Sequence, residues 1–254
     1  MAELLRAEGL AIQFGGLRAV DGFSLAVQRG ELIGLIGPNG AGKTTALRLL
    51  TGVLKSAAGR VLLDGADVTR LPVHRRAQRG LAMTHQIVRP FRGLTALENV
   101  MVAAGHASMR SSIDALFSLG RSRQRSLALT LLERVGLAEV ANRRAETLPL
   151  GQLKRLEVAR ALALEPALIL LDEPLAGLNS VEAEALSHTI VALNAGGLTV
   201  ILIEHNLGEV LRISKRLVVM VAGRVVADGD PAATVADPVV QDAYVGADDE
   251  HAQA

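Results

Sequence analysis

Apolar and polar residues alternate around Leu10 and Ile12 and again at Phe23, Leu25 and Val27. This is the period of half-buried strands, and Gly15-Gly16 between the stretches predicts a turn that pairs them antiparallel. Gly59-Arg60-Val61-Leu62-Leu63-Asp64-Gly65 reads as a further strand. Beyond it the pattern changes. Leu32 to Ile36, Leu168 to Leu171 and Thr199 to Ile203 are unbroken apolar runs, as strands buried on both faces of a parallel sheet require. Leu81 to Thr84 is a shorter strand, and Ala46 to Leu50 continues as a helix. Strand and helix in alternation predict an α/β fold, a mostly parallel sheet with helices on both faces. Arg216 to Val221 and Arg224 to Ala227 flank Ala222-Gly223 and read as a hairpin.

Between Thr95 and Ala163 strand signals vanish and helical spacing takes over, at Leu97, Val100 and Met101 and again at Leu127, Leu131, Leu132 and Val135. The sheet is thus interrupted by a helical insertion. Leu148-Pro149-Leu150-Gly151-Gln152 is expected to precede a helix whose buried face carries Leu153, Leu156, Val158, Ala159 and Leu162. A glycine at a helix start presents exposed amides suited to gripping an anion.

At 254 residues and 50% hydrophobic content the chain can bury a sizeable core. With 27 basic and 26 acidic residues the net charge is +1, so no general attraction draws it to nucleic acid or anionic lipid. The basic run Arg121-Ser122-Arg123-Gln124-Arg125 has no interleaved aromatics and reads as a solvated helix face. Cysteine is absent, which excludes disulfide and thiolate chemistry. The start Met1-Ala2-Glu3-Leu4-Leu5-Arg6 lacks the apolar stretch of a signal peptide, so a cytoplasmic protein is expected. No apolar run reaches the roughly 20 residues that cross a bilayer, since Ala161 to Leu171 is broken by Glu165 and Pro166. Any membrane association must come through a partner.

Chemistry enters at Gly37-Pro38-Asn39-Gly40-Ala41-Gly42-Lys43-Thr44-Thr45, which fills the template G-x-x-x-x-G-K-[ST] directly after a strand. Glycines let successive amides face phosphate oxygens, Lys43 supplies a point charge, and the Thr44 hydroxyl can ligate Mg²⁺. The site expected is for a nucleoside triphosphate, and the reaction is phosphoryl transfer to water. Leu168 to Leu171 delivers Asp172 and Glu173 at the sheet edge where open parallel sheets bind ligands. Asp172 would hold Mg²⁺ through water, and Glu173 would orient and deprotonate the attacking water. Gln86, after the strand Leu81 to Thr84, could reach both metal and water. His205 follows a strand expected beside the one bearing Glu173, and could donate to the γ-phosphate.

These motifs, in this order, resemble those of the ABC transporter ATPases over nearly the whole chain: Gly37 to Thr45, Gln86, Leu148 to Gln152, Leu168 to Glu173, Ala176-Gly177-Leu178-Asn179 and His205. Phe14-Gly15-Gly16-Leu17-Arg18-Ala19-Val20, Ala176 to Asn179, Ile203-Glu204-His205-Asn206 and Ala243-Tyr244-Val245-Gly246 are similar to the ATP-binding subunit of branched-chain amino-acid importers. The resemblance implies a P-loop NTPase, RecA-like core of residues 1–88 and 165–246 that includes an N-terminal antiparallel β-subdomain, with a helical subdomain at 89–164 and a disordered tail at 247–254. It implies ATP and Mg²⁺ as cofactors. It also implies a head-to-tail dimer, with itself or with a second ABC ATPase, in which one subunit's phosphate loop is covered by the other's Gly151 and Gln152. Phe14 would stack on adenine, or else pack a hairpin core.

Integral membrane permease subunits are the implied partners, docking at Ile87 to Val102, where Ile87, Val88, Phe91 and Leu94 either receive them or pack the lobe interface. A periplasmic or extracellular solute-binding protein would act indirectly, with no nucleic acid involved. The subunit is therefore expected at the cytoplasmic face of the cell membrane, powering uptake of branched-chain or hydrophobic amino acids. Alternatives are a different solute such as urea or amides, a soluble ABC ATPase without a permease, and a non-catalytic ATP-gated module. The family pattern LSGGQ is broken by Pro149, which has neither hydroxyl nor N–H, so one γ-phosphate contact is expected to be missing. His85 stands where relatives commonly carry an aromatic residue, and its role has no physical account.

Overall fold

The computed structural model describes residues 2–84, 86–108 and 119–243, with backbone alone at 106–108 and 119–121. His85, the Tyr244-Val245-Gly246 ending and the tail fall outside the described residues. The chain opens with two long strands, β1 (Glu3–Phe14) and β2 (Leu17–Gln28), paired antiparallel around the Gly15-Gly16 turn. β4 (Ala58–Leu63) pairs with β1 on its other edge, and the short β5 (Ala66–Asp67) completes a four-stranded antiparallel sheet in the order β2-β1-β4-β5.

The apolar runs become the centre of a second sheet. β3 (Leu32–Ile36), β7 (Leu168–Asp172) and β8 (Thr199–Ile203) are buried at every position. With β6 (Leu81–Met83), β9 (Arg216–Val221) and β10 (Arg224–Gly229) they form six strands ordered β10-β9-β3-β8-β7-β6. All neighbours pair parallel except the hairpin β9-β10. Period-two alternation sends Ile169, Leu171, Val200 and Leu202 to one face and Leu168, Leu170, Ile201 and Ile203 to the other.

On the second face, α1 (Lys43–Thr51) lies between the two sheets, burying Ala46, Leu47 and Leu50 against both. The C-terminal end of α1 is closed from below by Arg76 of α2 (Val73–Gln78), a residue only 3% exposed. Its Nη1 donates to Leu49 O and Leu50 O at 2.9 and 2.6 Å, Nη2 to Thr69 O at 2.7 Å, and Nε to Leu71 O at 3.0 Å. Burial of a guanidinium is tolerable because its donors meet carbonyl oxygens, here partly at the negative pole of a helix.

Against the first face pack α5 (Leu150–Leu162) and α6 (Ser180–Ala195), with α3 (Ala96–Ser108) and α4 (Leu119–Arg134) joined to the same core. Asn99, fully buried on α3, shapes the approach to this helical segment: its Oδ1 accepts from Phe91 N at 2.9 Å, and its Nδ2 donates to the carbonyls of Phe91, Leu94 and Thr95. On α4, Ser122, Arg123 and Arg125 are exposed, as a solvated face predicts. The short α7 (Leu207–Ile213) and α8 (Pro231–Val235) cover the β9 end of the sheet. Among the described residues no helix is long and apolar enough to cross a membrane.

Candidate functional site

The C-terminal ends of β3, β6, β7 and β8 meet along one edge, and the residues singled out for chemistry collect there. After β3 the chain turns through residues 37–42 and enters α1 at Lys43. This turn is wedged between neighbours. A Cβ on Gly37 would collide with Met220 O, and one on Gly42 with Ala19 O. Gly42, at φ 95°, is also the N-cap, so no side chain caps the first-turn amides of α1, nor does an acidic residue stand in that turn. Uncapped amides at a helix start are an anion-binding arrangement.

Lys43 is buried and turned back on the loop, its Nζ donating to Gly37 O at 2.7 Å and Pro38 O at 3.0 Å. Burial lowers its pKa, opposed by the charges of Glu173 and Asp172. The Thr44 hydroxyl donates to Asp172 Oδ1 at 3.0 Å, joining α1 to the end of β7. Gln86 Nε2 reaches Glu173 Oε2 at 2.5 Å. Glu173 sits at φ 50°, a region side chains rarely occupy, and both its backbone groups are held: its N–H by Ile203 O at 3.0 Å and its carbonyl by Lys154 Nζ at 2.9 Å. Backbone strain of this kind costs on the order of 1–3 kcal/mol and persists where the surroundings enforce it.

On the neighbouring strand end, Glu204 is 1% exposed and its Oε1 accepts from Leu175 N at 2.7 Å. Burial pushes this carboxyl up to about 7, against the lowering effect of the Leu175 amide. His205 is exposed, its Nδ1 4.0 Å from Glu204 Oε2. Thr44, Asp172 and Gln86 offer hydroxyl, carboxylate and amide oxygens, a donor set that suits a small hard cation sharing its shell with phosphates. Among the described residues no cluster of three or more His, Cys, Asp or Glu gathers to hold a metal by protein ligands alone.

Two expectations change. The segment Leu148 to Gln152 does not stand ahead of its helix: Pro149 is the N-cap and the helix starts at Leu150, because proline's fixed φ fits the entry to a helix. Gly151 and Gln152 therefore lie inside the first turn. Nor is Gly151 open to solvent. It is buried, and Glu182 Oε1 lies 2.6 Å from where its Cβ would be. The carboxylate bends there because Glu182 and Asn179 form the capping box of α6. Gln152 Oε1 is buried without a hydrogen-bond partner among the described residues.

Phe14 is half exposed at the β1-β2 turn, which removes the hairpin-core alternative. Ile87 and Phe91 are likewise exposed, 68% and 49%, while Val88 and Leu94 are half-buried; Phe91 lies under the Arg160 guanidinium, 5.2 Å from ring centre to carbon.

Sequence reasoning missed Lys154 and Glu204. Lys154 breaks the apolar stripe Gly151, Val158, Ala161 of α5, and Glu204 ends the apolar run of β8. A charge at a position the pattern marks as buried was the available signal.

The family model described as ABC transporter matches residues 20–176, more than half the chain. The high-affinity branched-chain amino acid transport ATP-binding protein BraF of Pseudomonas aeruginosa is 41% identical over 249 residues, 96% of this chain and 98% of BraF. Among solved structures, the ADP conformation of MJ1267, an ATP-binding cassette of an ABC transporter, superposes with a TM-score of 0.84 at 32% identity, covering 97% of this chain and all of that one. The dimeric MJ0796, a bacterial ABC transporter cassette, superposes at 0.77 with 25% identity over 90% of this chain and 99% of its own. A family match running from the β1-β2 hairpin through the paired acids, on a fold shared from end to end with solved cassettes, makes this chain a member of the ABC transporter family, an ATP-binding subunit and ATPase.

Proposed function

We propose that this ATPase powers an importer of branched-chain or other hydrophobic amino acids, working at the cytoplasmic face of the cell membrane through separate permease subunits. The observation that carries the catalytic part is the Thr44–Asp172 hydrogen bond, which brings the phosphate loop against the two acids. The similarity to BraF over 96% of the chain supports the cargo class.

On ATP binding, Lys43 exchanges the carbonyls of Gly37 and Pro38 for β- and γ-phosphate oxygens, while amides of residues 37–45 surround the phosphates. Phe14, exposed at its turn, stacks on adenine. Thr44, Asp172 and Gln86 are the residues that would hold Mg²⁺, which when bound would supply charge neutralisation for phosphoryl transfer. Glu173 takes the proton from the attacking water, and His205 donates to the γ-phosphate.

The second half of each site comes from a partner cassette, whose Gly151 and Gln152 cap the triphosphate with first-turn amides. For the anion to approach, the Glu182 carboxylate beside Gly151 must swing aside or be outweighed. Ile87 and Phe91 form the apolar face on which a permease docks.

Two measurements test this. ATP hydrolysis that needs Mg²⁺ and is lost in Glu173→Gln supports the catalytic reading, and equal rates in both proteins refute it. Uptake of radiolabelled leucine, isoleucine and valine should collapse in cells lacking the chain. Undiminished uptake, or purification from cells with no integral membrane partner, overturns the importer reading.

A further inference from the structure

Lys154 is 5% exposed, on the buried stripe of α5 three residues past Gly151. A buried ammonium needs oxygen partners, and those of Lys154 are backbone carbonyls from two separate segments: Gln86 O at 3.1 Å and Glu173 O at 2.9 Å. Because the Gln86 amide also donates to the Glu173 carboxylate, the three residues form a closed triangle of hydrogen bonds. Burial lowers the Lys154 pKa, opposed chiefly by the charges of Glu204 and Glu173.

We infer that Lys154 is a positioning residue for hydrolysis, one ammonium that fixes the backbones of Gln86 and Glu173 and ties both to the helix beginning at Leu150. Glu173 most needs such a brace. Its φ of 50° is unfavourable, its N–H is anchored to β8, and its carbonyl, which takes a longer turn bond from Ala176 N at 3.3 Å, is held by Lys154 Nζ at 2.9 Å. A long stem with three donors at its tip can serve two carbonyls approaching from different directions. A movement of α5 is thereby delivered to the backbone of the acid without a hinge in the core sheet.

The inference rests on Glu173 acting as the base, and the test separates the two. Lys154→Met keeps the stem and removes the donors; steady-state hydrolysis and amide hydrogen exchange are compared with wild type, Lys154→Arg and Glu173→Gln. In Lys154→Met, kcat should fall about tenfold or more while KM for ATP stays within about threefold, since misplacement of a reacting group acts on the chemical step. Exchange should quicken at residues 86–90 and 173–177 alone, and Lys154→Arg should restore most of the rate. Unchanged kcat, or exchange raised evenly along the chain with arginine no better than methionine, overturns the inference. Should Lys154→Met fail to fold, Lys154→Gln, which keeps an amide donor, is measured instead: an intermediate kcat supports the role and a wild-type kcat refutes it. If Glu173→Gln still hydrolyses ATP, the base assignment falls, whereas the local exchange response still decides whether Lys154 braces these backbones.

Discussion

Gln86 Nε2 donates to Glu173 Oε2 at 2.5 Å, so a side chain three residues beyond β6 and the acid directly after β7 hold one another. One carboxylate oxygen is thereby committed to the amide. An amide that fixes a carboxylate without adding charge orients the acid.

Gln86→Ala should therefore lower kcat by roughly 10- to 100-fold through loss of orientation, and Glu173→Gln by roughly 10²- to 10⁴-fold through loss of the base. Phosphate release at saturating ATP distinguishes the two magnitudes. Equal losses would mean that Gln86 does more than orient.

Glu204 sets a pH dependence of stability. Its carboxyl, with an ordinary value of 4.5, is raised to about 7 in the fold, first by burial and then by the nearby Glu173 charge. The folded state thus holds this proton more tightly than the unfolded one. The resulting stabilisation is complete below about 4.5 and disappears as pH rises through about 7, a span worth on the order of 3 kcal/mol. Glu204→Gln keeps an acceptor for Leu175 N and should flatten that slope. Thermal unfolding of both proteins from about pH 5 to 8 measures it, and parallel curves would contradict the assignment.

Asn99→Ala should destabilise the chain by about 2–3 kcal/mol, because the loop groups at Phe91, Leu94 and Thr95 lose a partner inside a buried environment. Urea denaturation with an unchanged m-value would show it. On the proposed docking of a permease at Phe91, the same variant should weaken that association while ATP affinity is unaffected, since Phe91 N loses its acceptor.

Pro149→Ser, made in a Glu173→Gln background, should strengthen ATP-dependent dimerisation in sedimentation. Pro149 is an N-cap without a side-chain hydrogen bond. A serine there adds a capping acceptor worth about 0.5–2 kcal/mol to the helix and a hydroxyl for phosphate. Unchanged or weaker association would count against that reading.

Much of this architecture was legible beforehand because it follows from local rules. Leu168 to Leu171 and Thr199 to Ile203 have the unbroken apolar character typical of buried parallel strands, and Gly37 to Thr45 announced the turn from β3 into α1. What escaped were side chains that bond to distant backbone. Arg76, Asn99, Lys154 and Glu204 owe their roles to carbonyls and amides brought near by topology, and no periodicity encodes which carbonyl will lie within reach. Of the sheet order, the neighbourhood of β7 and β8 was expected, whereas the place of β3 between β9 and β8 was hidden, since strand runs carry no record of all their neighbours. The start of α5 shifted because proline favours helix entry more than the family pattern revealed.

The phosphate loop stands on one pole of α1 while Arg76 grips the other, about 14 Å away along the axis. A nine-residue helix alone would fray in water. Riveted at its base, it keeps its leading amides aimed when product departs. Each new nucleotide therefore arrives at a socket that has not had to be rebuilt, and the speed of recharging is left to diffusion.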